Sequence, residues 1–294
     1  MLVLDGKGLR DKIAEGLKSE IDKLDQKPEL VIFQVGDVAE SNTYIGQKIK
    51  FGEKIGAIVT VKKLLEDVPQ PELIKEIQLA NDNKNVHGII VQLPIPKELD
   101  KNKIIETIDP TKDVDGQTAA NIKRLFEDNP QPGNTPGVDS DSPGVSFDGF
   151  IPATTRGVFT LLDHYKISVT GKHVVVVGRS TLVGKPTALE FLNRNATVTI
   201  AHSKTSHLSL ITKSADILVV AAGKPKLITK DYVSKEQVVV DVGINVIDGK
   251  LIGDVDFENV KNIVSAISPV PGGAGPMTVA SLFQNLLEAY KNQH

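Results

Sequence analysis

The stretch Lys172–Leu192, KHVVVVGRSTLVGKPTALEFL, decides the fold class. Four consecutive valines end at Gly178, and a short loop leads through Gly184 into a helix-forming segment. A continuous β-branched run ended by glycine is typical of a strand buried on both faces of a parallel sheet. Glycines let a loop approach a phosphate closely, and the next helix offers unpaired amides and a positive dipole end. The stretch therefore predicts a strand–loop–helix unit suited to phosphate.

This loop does not carry a standard nucleotide-binding spacing. Ser180 stands in place of the middle glycine of the G-x-G-x-x-G fingerprint. It is not a Walker loop either, because Gly178 lies one residue too far from Gly184–Lys185 and Pro186 occupies the Ser/Thr position. A plain turn between a strand and a helix therefore stays open beside a dinucleotide site.

The end of the next strand favours one cofactor class. In ATVTIAHSKT the strand is followed by His202, Ser203 and Lys204, without the acid that binds ribose hydroxyls in NAD-preferring sites. Together with Arg179, these side chains would suit a 2′-phosphate, which predicts NADP. The alternative is that Arg179 and Lys204 are ordinary solvated charges.

The N-terminal half alternates short apolar runs with segments of helical period. The runs ELVIFQVG, IVTVKKL and HGIIVQ predict strands, and QPELIKEIQLAND predicts a helix that buries Leu73, Ile77 and Ala80. The segment Ser41–Gly56 predicts a helix with Ser41 as its N-cap and a core stripe of Ile45, Ile49 and Gly52. This order predicts a parallel sheet with crossover helices.

The domain boundary is predicted near residue 150. Glu127–Phe150 is crowded with Pro, Gly, Ser and Asp and has no Lys or Arg, which predicts a mobile linker. We expect an N-terminal domain at 1–150, a Rossmann-like domain at 151–276, and a C-terminal helix at 277–294 that returns to the first domain. The predicted fold is α/β, with a substrate domain, a parallel-sheet NADP domain and a cleft between them.

Composition excludes several classes of function. The chain has no cysteine, which removes disulfides, thiolate catalysis and cysteine zinc sites. A net charge of −3 gives no basic field for nucleic acid, and no apolar run is long enough to span a membrane. The six histidines show no metal-ligand spacing. Asp5 and Gly6 interrupt any signal-peptide core, so we expect a cytoplasmic protein.

Candidate chemistry in the first domain is weak when each motif is taken alone. Tyr44 and Lys48 are i,i+4 neighbours on a helix, and a solvated helix edge would explain them equally well. Gln92 follows the third strand, where ligands of open α/β sheets collect. Asp113 and Asp115 lie on a glycine turn, and such acids usually cap helices.

In combination these motifs resemble the bifunctional methylenetetrahydrofolate dehydrogenase/cyclohydrolase family over essentially the whole chain. The resemblance rests on an ordered set of segments: SNTYIGQKIK, GIIVQLPIP, DPTKDVDG, VVVVGRSTLVGKP, VVVDVGIN and PVPGGAGPMTVA. Each segment is weak alone, but the ordered set is highly specific.

The resemblance implies an NADP-dependent oxidation of 5,10-methylenetetrahydrofolate and hydrolysis of the methenyl product to 10-formyltetrahydrofolate. It implies a homodimer and assigns roles to the following residues: catalysis by Lys48, Gln92, Tyr44 and Asp115; folate binding by Tyr44, Ser41, Asp115, Pro271, Gly272 and Gly273; and NADP binding by Gly178, Arg179, Ser180, Gly184, His202, Ser203, Gly243 and Ile244.

The implied chemistry makes specific demands on these side chains. Lys48 should be at least partly neutral beside a cationic substrate, its pKa lowered by burial and by a hydrogen bond from Gln92. Tyr44 would offer a flat face to an aromatic ring, and Asp115 two acceptor oxygens to the pterin.

The chain departs from the family pattern at one motif. Family members usually have P-C-T-P where this chain has PATT, so Ala153 and Thr155 differ, and the preceding linker is longer than typical. The alternatives are a monofunctional dehydrogenase of the same family, another NADP-linked two-domain dehydrogenase such as a shikimate-type enzyme, and a protein that binds NADP or folate without turnover.

Overall fold

The computed structural model describes residues 1–126 and 149–294, so the predicted linker lies outside the described residues except for its last two. The described chain forms two compact units. Residues 12–124, 149–153 and 279–294 form the three-stranded unit, and residues 1–11, 125–126 and 154–278 form the six-stranded unit. The division falls within helices α1 (Gly6–Ile21) and α10 (Ala274–Gln293).

Besides parts of α1 and α10, the three-stranded unit contains β2 (Glu29–Val35), α2 (Ala39–Ile55), β3 (Ile58–Leu64), α3 (Gln70–Asp82), β4 (Gly88–Val91), α4 (Lys101–Ile105) and α5 (Ala119–Lys123). Its strands form a parallel sheet of order β3-β2-β4. Strand β2 pairs in parallel with both neighbours and is buried along nearly its whole length. The predicted parallel sheet with crossover helices is confirmed.

Helix α2 presents the predicted core stripe. Ile45 is buried, Ile49 packs against the same apolar cluster, and a side chain at Gly52 would clash with Val59. The predicted N-cap is wrong, because α2 begins at Ala39 and Ser41 already lies in its first turn. The sequence signal failed because Ser41 is preceded by residues that also accept helical geometry.

The six-stranded unit contains β1 (Leu2–Val3), α6 (Ala153–His164), β5 (His173–Val177), α7 (Gly184–Asn193), β6 (Thr197–Ala201), α8 (Leu208–Lys213), β7 (Ile217–Val220), β8 (Val238–Asp241), the antiparallel pair β9 (Asn245–Ile247) and β10 (Lys250–Ile252), α9 (Phe257–Val260) and β11 (Ala266–Ile267). Six of these strands form a parallel sheet of order β1-β11-β8-β7-β5-β6. From β5 the chain adds β6 on one side and β7 on the other, so the strand order reverses beside β5. Open α/β sheets bind their ligands at this point.

The N-terminus belongs to the six-stranded sheet. Leu2 and Val3 pair in parallel with Ala266 and Ile267, whereas the predicted first domain began at residue 1. A strand of two residues carries no readable period, so the sequence could not show this pairing. No helix in the described parts of the chain is long and apolar enough to cross a membrane.

Candidate active site

A lysine–glutamine pair connects helix α2 to the end of strand β4. The backbone N–H of Gln92 bonds to the carbonyl of Phe33 at 2.8 Å, which extends the sheet by one residue and fixes the side chain at its carboxyl edge. Lys48 Nζ donates to Gln92 Oε1 at 2.8 Å, and Gln92 Nε2 donates to the Leu93 carbonyl at 2.7 Å. The second bond fixes which amide atom faces Lys48. The lysine is therefore the donor, opposite to the expected direction.

Asp115 lies on a turn that its neighbours hold in place. The buried carboxylate of Asp113 accepts the Thr118 N–H at 2.7 Å and the Asn121 amide at 2.9 Å. Asp115 Oδ2 accepts the side-chain amide of Gln117. One oxygen of Asp115 thus already has a partner, so a second hydrogen-bond donor would meet mainly the other oxygen.

Burial controls the protonation of the lysine and the aspartate. It lowers the pKa of Lys48, and the negative charge of Asp115 opposes this shift. It also raises the pKa of Asp115, with the charge of Lys48 opposing and that of Asp113 adding to the rise. Desolvation is the largest cause for both groups, so both are displaced toward their neutral forms. A neutral amine in this position can accept a proton.

Ser41, Tyr44 and Lys48 share one side of α2. Their spacing of three and four residues places them in successive turns of the same face. Ser41 is only 3% exposed, and its hydroxyl has no hydrogen-bond partner among the described residues. A buried hydroxyl without a partner costs free energy, and the hydrogen bonds of the described residues do not account for it.

The glycine loop of the six-stranded unit is shaped by its own backbone. Gly178 has φ of 135°, and a Cβ there would lie 2.2 Å from the Ala221 carbonyl oxygen. A Cβ at Gly184 would lie 2.3 Å from the carbonyl oxygen of Gly178. Ser180 Oγ accepts the N–H groups of Val183 and Gly184 at 3.2 and 3.3 Å. Two amides at the start of α7 are therefore capped by Ser180.

Arg179 and Ser203 lie on adjacent loops at one edge of the sheet. Val177 is registered with Ala201, and the N–H of Gly178 bonds to the Ala201 carbonyl at 2.9 Å. The residues that follow these two strands therefore emerge side by side. Arg179 and Ser203 are both exposed.

His202 is held within its own turn. Its Nδ1 accepts the Lys204 N–H at 3.1 Å, and its backbone N–H bonds to Thr205 Oγ1 at 2.8 Å. The proton of a neutral ring is thereby assigned to Nε2. No group of three or more His, Cys, Asp and Glu side chains in the described ranges could hold a metal ion.

The other predicted binding residues also lie in the six-stranded unit. Gly243 and Ile244 follow β8. Pro271, Gly272 and Gly273 form the loop before α10, where Gly272 accepts the Lys7 N–H at 2.9 Å. The structure thus brings together Lys48, Gln92 and Asp115 in one unit, and the glycine-loop residues with His202 and Ser203 in the other.

The family departure at Thr155 has a structural partner. Its Oγ1 lies 3.0 Å from Oγ1 of Thr187 on α7, and neither side chain is exposed. Ala153, the other departure, packs in the apolar cluster of the three-stranded unit. The polar change at Thr155 is therefore compensated inside the six-stranded unit.

Sequence reasoning missed two residues that support the Asp115 turn. Asn285 on α10 donates to the carbonyls of Val114 and Ile151 at 2.8 and 3.1 Å. Gln117, whose amide donates to Asp115, follows the DVDG segment directly, and the sequence indicates no role for it. Neither carries a local signal, because their roles depend on contacts formed in the tertiary structure.

Comparison with protein families identifies both halves of the chain. Residues 4–115 match the catalytic domain of tetrahydrofolate dehydrogenase/cyclohydrolase, and residues 152–294 match its NAD(P)-binding domain. The bifunctional protein FolD of Acholeplasma laidlawii is 46% identical over 292 residues, which are 99% of this chain and 99% of that protein.

Solved structures agree with these matches. The bifunctional enzyme FolD, methylenetetrahydrofolate dehydrogenase/cyclohydrolase, from Campylobacter jejuni has a TM-score of 0.91 and 42% identity, with all of both chains covered. The FolD enzyme of Trypanosoma brucei, complexed with NADP cofactor and inhibitor, has a TM-score of 0.89 and 31% identity over 99% of this chain and 98% of that one.

Proposed function

The chain belongs to the tetrahydrofolate dehydrogenase/cyclohydrolase family, and on that premise we propose that it catalyses two consecutive steps. The first oxidises 5,10-methylenetetrahydrofolate to 5,10-methenyltetrahydrofolate with NADP⁺. The second hydrolyses the methenyl compound to 10-formyltetrahydrofolate. Family membership sets aside the shikimate-type alternative.

The observation that carries this proposal is the desolvated Lys48 amine beside Gln92. The methenyl substrate is a cation, and an ammonium group next to it would repel it. Burial lowers the pKa of Lys48, which increases the neutral fraction. Gln92 accepts one N–H of the amine at 2.8 Å and so holds its position. The lone pair of the neutral amine is then available for a proton.

In the hydrolytic step, water adds to the methenyl carbon. As the C–O bond forms, the water oxygen becomes acidic and Lys48 takes its proton as a general base. When the C–N bond breaks, the Lys48 ammonium returns its proton to the ring nitrogen. The remaining hydroxyl proton of the adduct is released to solvent as the C=O bond of the formyl group forms, so the hydrolysis of the cation yields one net proton. A pure binding protein would gain nothing from desolvating this amine, since burial of a charge costs free energy.

In the oxidative step, NADP⁺ accepts a hydride from the methylene carbon when it is bound. The protein's part is to place the folate and to tolerate the positive charge that develops. Lys48 in its neutral form adds no repulsion, and any negative charge on Asp115 favours the cation. The hydride leaves without a proton from carbon, so this step depends less on a base.

We assign folate recognition to Tyr44, Asp115 and Ser41 in the three-stranded unit. The half-exposed ring of Tyr44 supplies a flat apolar face next to Lys48. Ser41 lies three residues before Tyr44 on the same side of α2, and its assignment rests on the resemblance. Pro271, Gly272 and Gly273 remain proposed folate-binding residues on the resemblance alone.

The NADP assignment is supported by the ends of β5 and β6. Arg179 and Ser203 emerge from registered strands, and no acid follows β6 to repel a 2′-phosphate. An arginine can bind a phosphate through a charge-assisted hydrogen bond. Gly178, Ser180, Gly184, His202, Gly243 and Ile244 complete the proposed cofactor site around the same edge of the sheet.

We further propose that the enzyme is a cytoplasmic homodimer. Strand β6 is the outer strand of its sheet, and its Ile200 side chain is exposed, as is Leu192 on the adjoining helix. Exposed apolar side chains at a sheet edge favour burial against another chain. Light scattering after size exclusion at several protein concentrations tests the dimer, and cell fractionation tests the location.

A two-substrate assay tests the catalytic proposal. The purified protein is given methylenetetrahydrofolate with NADP⁺ or NAD⁺, and separately methenyltetrahydrofolate alone. We expect NADPH formation, weaker NADH formation, and hydrolysis of methenyltetrahydrofolate without cofactor. Oxidation without hydrolysis would instead identify a monofunctional dehydrogenase, and binding without either reaction would overturn the proposal.

A further inference from the structure

Two buried carboxylates, Asp241 and Asp254, stand outside the chemistry described so far. Asp241 ends β8, and Asp254 lies in the turn after β10. Their side chains are 2% and 0% exposed. Among the described residues, their hydrogen-bond donors are backbone amides and one asparagine, and no Lys or Arg is paired with them. Burying a carboxylate without a basic partner costs free energy, so the hydrogen bonds that these two side chains make to the surrounding backbone must offset that cost.

The Asp254 carboxylate binds the backbone of the loop that follows β7. Its Oδ2 accepts the N–H groups of Ala222 and Gly223 at 2.6 and 2.8 Å. Its Oδ1 accepts the Lys224 N–H at 2.8 Å and the Asn245 amide at 2.9 Å. A single side chain thus fixes three successive amides after one strand and the first residue of β9.

The Asp241 carboxylate binds the backbone of the loop that follows its own strand, β8. Its Oδ1 accepts the N–H groups of Gly243 and Asp254 at 2.9 and 3.1 Å, and its Oδ2 accepts the Val255 N–H at 2.9 Å. Burial raises the pKa of Asp241 to about 7, with the charge of Asp254 adding to the rise and the amide donors opposing it. The two acids are therefore linked by a hydrogen bond from the Asp254 backbone N–H to the Asp241 carboxylate, and their charges also interact.

Each carboxylate occupies the space that a neighbouring side chain would need. A Cβ at Gly243 would lie 2.1 Å from Cγ of Asp254, and a Cβ at Gly253 would lie 2.0 Å from Oδ2 of Asp241. The glycine in the DVG segment is therefore required by Asp254. A side chain at position 243 would displace the Asp254 carboxylate from the amides that it holds.

The interlocked loops lie where a parallel sheet binds its ligand. Val220 and Asp241 are registered, and the Val242 N–H bonds to the Val220 carbonyl at 2.8 Å, so both loops start at the same carboxyl edge. Arg179 and Ser203 follow β5 and β6, which form the first nucleotide-binding half of such a sheet. The loops after β7 and β8 belong to the second half, which faces the other nucleotide.

We propose that Asp241 and Asp254 are positioning residues for the nicotinamide half of the cofactor, which they act on through the Ala222–Lys224 and Gly243–Ile244 backbone. This inference rests on the proposed NADP-dependent function. Neither acid contacts the cofactor itself. Loss of either acid leaves backbone amides without their acceptor and frees the loop that this acid holds, so nicotinamide binding weakens while the adenosine half stays in place.

The test compares two ligands on three proteins. Dissociation constants for NADP⁺ and for adenosine 2′,5′-bisphosphate are measured by calorimetry on the parent, Asp254→Asn and the control Asp248→Asn. Asp248 lies in the exposed turn of the β9–β10 hairpin with φ of 49°, which asparagine tolerates. Replacing one carboxylate oxygen by an NH₂ group leaves two of the four N–H donors to Asp254 without their acceptor. We therefore expect Asp254→Asn to weaken NADP⁺ binding about tenfold and bisphosphate binding less than twofold.

Kinetics supply an independent readout. The KM for NADP⁺ should rise in Asp254→Asn, whereas hydrolysis of methenyltetrahydrofolate, which needs no cofactor, should keep its kcat. If Asp254→Asn does not fold, Asn245→Ala removes one donor to the same carboxylate and should weaken NADP⁺ about threefold.

Unchanged NADP⁺ binding in the folded variant, or equal weakening of both ligands, would overturn the inference. A parent protein that binds neither ligand would overturn the proposed function itself, so the two failures are distinguishable.

Discussion

Lys48 Nζ donates a 2.8 Å hydrogen bond to Oε1 of Gln92, a residue 44 positions away in the sequence. The contact places a desolvated amine at the carboxyl edge of the three-stranded sheet. It joins one side of α2, which the sequence pattern alone explains equally well as a solvated helix edge, to the residue that follows β4.

Replacing Lys48 with Met should cripple the cyclohydrolase. Methionine keeps much of the side-chain bulk but cannot accept a proton, and a general base typically contributes about 10²–10⁴-fold. The dehydrogenase should fall less, because hydride transfer needs no base at carbon. Both rates are measured on purified protein, with Lys50→Met, an exposed lysine on the same helix, as the matched control. Hydrolysis at the parent rate would remove Lys48 from the mechanism.

The pH dependence of hydrolysis should reveal the lowered pKa of Lys48. The neutral amine is the active form, so kcat should rise with pH and level off above the pKa of Lys48. Because burial lowers that pKa, the midpoint should lie below the ordinary lysine value of 10.5. Gln92→Glu places a negative charge beside the amine, raises its pKa, and should move the midpoint to higher pH. The uncatalysed rate is subtracted at each pH. A midpoint that this variant does not move would contradict the assignment of Lys48 as the general base.

Arg179→Ala should weaken NADP⁺ use much more than NAD⁺ use. One charge-assisted contact to the 2′-phosphate is worth roughly 1.5–3 kcal/mol, or about 10–150-fold in kcat/KM. Lys185→Ala, an exposed cation at the start of α7, controls for a general loss of positive charge. The measurement is kcat/KM for each cofactor with saturating methylenetetrahydrofolate. An equal loss with both cofactors would show that Arg179 does not read the phosphate.

The Thr155–Thr187 pair should show strong coupling in a double-mutant cycle. Thr155→Val or Thr187→Val alone leaves one buried hydroxyl without its partner, at a cost of about 1–3 kcal/mol in the free energy of unfolding. The double valine variant removes both hydroxyls and should cost less than the sum. Urea denaturation of the four proteins measures this difference. Strictly additive losses would show that the 3.0 Å contact between the two hydroxyls contributes nothing to the free energy of unfolding.

His87 should make the three-stranded unit sensitive to acid. Burial, with the charges of His294 and Lys112, lowers the pKa of His87 from 6.5 to about 4. Between these values the unfolded chain binds a proton that the folded ring does not, so stability is complete above pH 6.5 and falls as the pH drops toward 4. The steepest loss from one such group is about 1.4 kcal/mol per pH unit.

Substitution of His87 isolates this contribution. Its Nδ1 accepts the Glu29 N–H at 3.1 Å, and His87→Asn keeps an acceptor there while it removes the titration. His207→Asn, at an exposed position with φ of 52°, is the control. Free energies of unfolding measured from pH 4 to 7 should show a shallower slope in His87→Asn only. A slope equal to that of the parent would assign the acid sensitivity to other groups.

Much of the fold could be predicted because the sequence pattern is strong where strands are buried. IVTVKKL and QPELIKEIQLAND match β3 and α3 residue for residue. Buried parallel strands need continuous β-branched runs, and crossover helices need an apolar face, so both leave a local signal. The two-residue strand β1 was not predicted, since a short strand shows no period. The 16-residue helix α1 was also not predicted.

The candidate site divides along the same line. The sequence alone supplied Tyr44, Lys48, Gln92 and Asp115 as candidates and, through the missing acid after β6, the preference for NADP. It could not supply the direction of the Lys48–Gln92 bond, the capping of α7 by Ser180, or the Asp241–Asp254 interlock. Desolvation and hydrogen-bond direction depend on side chains brought together from distant segments. Only the tertiary structure decides those contacts, and with them the protonation of the groups that do the chemistry.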